Sequence, residues 1–79
     1  MKIEAAFGKI LHQYRKNSKL SQEKLSMESG LDRTFISLLE RGLRQPSLTS
    51  ILQLAKALNT SPAVLITAVE EMLNENSKN

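Results

Sequence analysis

The segment from Ser21 to Gly42, SQEKLSMESGLDRTFISLLERG, constrains the fold of this chain more than any other. Ser21 is a strong helix N-cap, because its hydroxyl can take a backbone N–H that the first turn leaves unpartnered. Gly30 fits the left-handed position that ends a helix. Asp32 offers the cap of a second helix, and Gly42 stops it. The segment therefore predicts two short helices joined by a tight turn, over residues 21–42. Arg33, Thr34 and Ser37 lie on a face of the second helix that a core does not need. A short polar helix held at a fixed angle suits the major groove of duplex DNA.

The apolar spacing is helical elsewhere too, and no useful stretch alternates with period two, so the expected class is all-α. A first helix spans about Ile3 to Asn17, with Phe7, Ile10, Leu11 and Tyr14 on one stripe. Gly8 inside that pattern costs roughly 1 kcal/mol against Ala and suggests close approach of another helix. In the Ser21 helix, Leu25 faces inward, with Met27 or Ser29 beside it and Gln22 on the solvent side. In the Asp32 helix, Ile36 and Leu39 face inward. Ser47 caps a fourth helix with Leu48, Ile51, Leu52, Ala55 and Leu58 as its buried stripe. Ser61 and Pro62 start a fifth, ending near Asn74, with NENSKN expected to fray. The expectation is one compact five-helix domain over residues 1–79.

With 79 residues the chain is near the lower limit for a core without staples. It has no Cys, which excludes disulfides and thiolate metal sites. Its one His would need carboxylates to complete a metal site, and no metal or cofactor is expected. No apolar run reaches the roughly 20 residues that span a membrane. The N-terminus lacks the apolar core of a signal peptide. A soluble, cytoplasmic protein is expected. The net charge is +3, but it is unevenly placed: residues 1–46 hold nine basic and five acidic residues, and residues 47–79 two and three. The basic half is the half with the two-helix segment, and basic domains attract phosphate backbones by counterion release.

Taken together, Phe7-Gly8, Leu11, Arg15, Leu20-Ser21-Gln22-Glu23-Lys24-Leu25, Gly30-Leu31, Ile36-Ser37, Leu39-Glu40-Arg41-Gly42, Pro46-Ser47 and Ala55-Lys56-Ala57-Leu58 form a pattern. It resembles the phage repressor and Cro-like family of helix-turn-helix proteins over roughly residues 5–66. The runs LDRTFIS and ERGLRQPS look most like the controller proteins of restriction–modification systems. The resemblance implies a lambda-repressor-like five-helix domain that binds a palindromic operator as a dimer and regulates transcription. It implies duplex DNA and a second copy of the chain as partners; RNA polymerase is a further candidate. No small-molecule ligand and no membrane are expected.

The resemblance points the start of the third helix into the groove. Arg33 can bridge guanine O6 and N7, and Thr34 can offer a hydroxyl or a methyl to a base. The plain alternative is a solvated first turn with Arg33 pairing with Asp32. However, an Arg at a helix N-terminus opposes the helix dipole, which hints at a function. Ser37, one turn on, suits a base, a phosphate or bare solvent. Phe35 could pack inward or lie along the sugar-phosphate edge. Leu38, where many relatives are polar, could touch a thymine methyl or cover core. The family places Gln22 against phosphate, where the backbone N–H groups of the helix start can assist. Arg41, Arg44 and Gln45 are phosphate candidates that would fix register; Lys19 and Lys24 are weaker ones. The resemblance sets Arg15 facing Glu40 as a structural ion pair, against the alternative of two independent surface charges. His12 reads as a surface residue, Tyr14 as a core edge, and Met27 and Met72 as packing residues.

No GxSxG, HExxH or P-loop occurs, and a chain this short has little room for a deep substrate cleft, so no catalytic activity is expected. The fifth helix, over about 62–74, is more apolar than a lone domain requires. Ile66, Val69 and Leu73 form the expected dimer interface, setting two reading helices roughly 34 Å apart. The competing reading is an antitoxin-like helical module that binds a partner protein, for which Phe35 and Leu38 are the supporting residues. Non-specific DNA packaging would want far more Lys and Arg.

Overall fold

Local capping sets most of the helix boundaries in the computed structural model, which describes residues 1–77. The helices are α1 (Ile3–Asn17), α2 (Gln22–Ser29), α3 (Arg33–Glu40), α4 (Leu48–Ala57) and α5 (Pro62–Ser77), and the described residues contain no strand. Ser21 Oγ accepts from the Lys24 backbone N–H at 3.0 Å, and Ser61 Oγ from that of Val64 at 3.2 Å. Ser47 and Ser50 exchange side-chain and backbone bonds in a full capping box. Gly30 ends α2 at φ 77°, as its position in the sequence suggested. Asp32 holds the cap position of α3 with extended backbone, but its side chain makes no capping bond. Burial of Ile36 and Leu39, both 0% exposed, holds α3 in place instead.

α1 packs on α3 and α5, α2 on α3 and α4, and α4 on α5. The core gathers Ala6, Phe7, Ile10 and Leu11 from α1 with Leu25, Ile36, Leu39, Leu54, Ala55, Leu58, Leu65 and Val69. Gly8 is the contact point of α1 and α3. A Cβ there would lie 2.5 Å from the Leu39 carbonyl oxygen and 2.7 Å from that of Glu40. Only glycine permits this backbone-to-backbone crossing, as its place in an otherwise helical stripe suggested.

Three expectations are corrected. In α4 the buried stripe runs through Leu54, Ala55 and Leu58 with half-buried Ile51, whereas Leu48 is 73% and Leu52 50% exposed. Leu48 opens the helix beyond the edge of the core, and Leu52 lies one residue out of phase with the stripe. Met27 is 72% exposed, and Ser29 takes the inward position of α2. α5 continues to Ser77 rather than stopping near Asn74, with Asn76 Nδ2 and Ser77 Oγ donating to carbonyls of the preceding turn. The final two residues of the predicted frayed tail lie outside the described residues.

Candidate nucleic-acid interface

The turn between α2 and α3 is tied internally. The Leu31 N–H donates to Ser29 Oγ at 3.2 Å, and Ser26 Oγ donates to the Leu31 carbonyl. Gln53 on α4 donates to the Ser29 carbonyl at 3.2 Å, so α4 braces the end of α2. This frame presents α3 with Ile36 and Leu39 inward and Arg33 and Thr34 fully outward. Ser37 is half-buried one turn beyond Thr34. Phe35 packs against the core, which removes it from the outward face and weakens its support for a protein-binding module. Leu38 is half-buried.

Arg15 and Glu40 face each other, as the resemblance implied, with side chains 9% and 5% exposed. Arg15 Nε donates to Glu40 Oε2 at 2.5 Å and Nη2 to Oε1 at 2.9 Å; Nη1 donates to the Leu20 carbonyl at 2.9 Å. Two further groups meet the same carboxylate. Gln22 Nε2 donates to Oε1 at 3.2 Å, and His12 Nδ1 lies 3.0 Å from it. Burial alone would raise the Glu40 pKa. The hydrogen bonds from Arg15, His12 and Gln22, with the Arg15 charge, outweigh it and leave the carboxyl below its ordinary value. The bond to Glu40 likewise raises the Arg15 pKa. Gln22 thus has its amide oriented from below, with one N–H left for an outside acceptor. Neither the Gln22–Glu40 bond nor the place of His12 was foreseen. The partners lie 18 and 28 residues apart, and no local pattern announces them.

Above this cluster opens a cleft of about 470 Å³, lined by Arg15, Lys16, Lys19, Leu20, Ser21, Gln22 and Arg33. Lys16, not singled out from the sequence, is part of it. Arg41, Arg44 and Gln45 are exposed at the end of α3 and in the following loop, and Arg41 Nε reaches back to the Ser37 carbonyl at 3.4 Å. The outward residues of α3, the cleft and this loop together suit a polyanion with an edge pattern to be read.

The surface expected for a mate is partly open. Ile66 is 48% exposed, Leu73 is half-buried and packed on the core, and Val69 is 5% exposed and belongs to the core itself. An apolar hollow of about 120 Å³ brings Ile66 together with Ile3, Phe7, Gln45, Pro46 and Ile51. Among the described residues no helix is long and apolar enough to cross a membrane.

Residues 11–65 match the family described as helix-turn-helix. The chain is 43% identical over 67 residues to the control protein C.SmaI of Serratia marcescens, covering 85% of this chain and 80% of that protein. It is similar to the crystal structure of the restriction–modification controller protein C.AhdI from Aeromonas hydrophila, with TM-score 0.76 and 45% identity. That match covers 78% of this chain and 94% of the other. It is also similar, at TM-score 0.81 and 27% identity, to the controller C.Esp1396I solved as a tetramer with its natural 35-base-pair operator. Here the match covers 90% of this chain and 93% of that one. The chain belongs to the helix-turn-helix family that includes these control proteins.

Proposed function

We propose that the protein is a cytoplasmic transcriptional regulator that binds a palindromic operator as a dimer and controls restriction–modification genes. The observation that carries this reading is the two-faced α3: Ile36 and Leu39 are wholly buried, while Arg33 and Thr34 stand outward beside a basic cleft. Arg33, Thr34 and Ser37 read base edges. Gln22, Arg41, Arg44 and Gln45 hold phosphates and set the register. The relative C.Esp1396I, solved as a tetramer on its operator, supports assembly on DNA. Ile66 and Leu73 on α5, with Val69 behind them, make the contact between copies, and residues 1–79 act as one unit without a catalytic step. Selection from a random duplex pool tests the reading: enrichment of a two-fold symmetric site is expected. A pool that emerges without sequence enrichment overturns it.

A further inference from the structure

We propose that the cleft where the end of α1 meets the starts of α2 and α3 seats a backbone phosphate of duplex DNA, held by Lys16 and Lys19. The inference rests on the DNA-binding reading above and adds a contact outside the helix-turn-helix segment. Four cations line this one cleft: Arg15, Lys16, Lys19 and Arg33. Arg15 is matched by Glu40, whereas among the described residues Lys16, Lys19 and Arg33 form no ion pair. No carboxylate lines the opening. Unopposed positive charge converging from three elements on open space raises the local potential and suits a phosphate.

Lys19 is the sharper observation. It follows α1 in the left-handed conformation, at φ 60°. Its N–H donates to the Lys16 carbonyl at 2.9 Å, and the Leu20 N–H to that of Arg15 at 3.2 Å. A residue with a Cβ is disfavoured in this conformation and glycine is not. The fold alone is better served by glycine here. A lysine retained against that preference, with its side chain lining a basic cleft, points to work for its ammonium group. Lys16 has a second reason for its place, since a cation in the last turn complements the helix dipole. Lys19 lies past the helix end and lacks that reason.

Lys19→Gly separates the two roles. The variant is expected to unfold at the wild-type temperature or higher, because the strained position is relieved. Its affinity for the selected operator should nonetheless fall, and the slope of log K against log salt should flatten by about 0.9. Lys16→Gln should flatten it by a similar amount without touching the backbone. The preference for cognate over scrambled duplex should stay unchanged in both. Lys56→Gln, on exposed α4 away from the cleft, controls for simple loss of net charge. Cleft variants with the wild-type slope, or a Lys56→Gln loss as large as theirs, overturn the proposal and leave the DNA-binding reading intact. A Lys19 variant with altered base preference overturns the phosphate assignment. A wild-type protein without affinity for any duplex overturns both readings.

Discussion

Arg33 and Arg44 carry the same charge and are expected to fail differently. Arg33 begins the outward face of α3. Arg33→Ala should lose roughly 1–3 kcal/mol on the cognate operator and relax preference at one base position; equilibrium titration of cognate and single-substitution duplexes measures both. Unchanged relative affinities would remove Arg33 from base reading. Arg44 is exposed in the loop after α3. Arg44→Ala should weaken cognate and random duplex by similar factors and flatten the salt dependence by about one ion. A loss confined to certain base pairs would make Arg44 a reader instead. Glu40 yields a pH prediction. Its folded pKa lies below the ordinary 4.5, so the stability it contributes is complete above that value and is lost as pH falls through the folded value. Thermal unfolding from pH 7 downward, compared with Arg15→Ala, checks this. The variant leaves the nearly buried Glu40 carboxylate without its cation, should be less stable at neutral pH by roughly 3–5 kcal/mol, and should lose less on acidification.

The helices differ in how much of them the sequence disclosed, and the difference follows the range of the interactions that define them. Ser21, Ser47 and Ser61 each cap with a hydroxyl that reaches a group three residues away, and Gly30 and Gly42 stop α2 and α3 through their own dihedrals. Such signals are local and were legible. The outward placement of Arg33 and Thr34 was legible for a related reason, since Ile36 and Leu39 fix the opposite face of a short helix. The phase of α4 was not. LTSILQLAKAL carries leucines on more than one face, and only the packing against α2 and α5 selects Leu54 over Leu52. Gln22 was assigned outward, while half of its hydrogen bonding turns down to a carboxylate on α3. The Gly8 crossing gives a prediction at this scale. Gly8→Ala adds helix propensity yet places a methyl 2.5 Å from the Leu39 carbonyl oxygen. A net destabilisation of roughly 1–3 kcal/mol is expected in urea unfolding. A stabilised variant would mean that α1 and α3 separate easily.

At the scale of the whole molecule, the dimer depends on apolar surface that the monomer does not need. Val69 is already in the core and Leu73 half-buried, so Ile66 is the better probe of a mate. Ile66→Glu should shift sedimentation equilibrium toward monomer, keep the helical circular dichroism and lower operator affinity. A variant that stays dimeric would move the interface to the exposed leucines of α4, and one that unfolds would place Ile66 in the monomer's stability. The two contacts between α1 and α3, at Gly8 and through the Arg15–Glu40 pair, have a calorimetric consequence. They join the far end of the reading helix to the longest element it touches, at backbone and at side-chain level. A helix so held has little ordering left to do when it meets DNA. The heat-capacity change of operator binding should therefore match the apolar area the complex covers, without the excess that accompanies folding on contact.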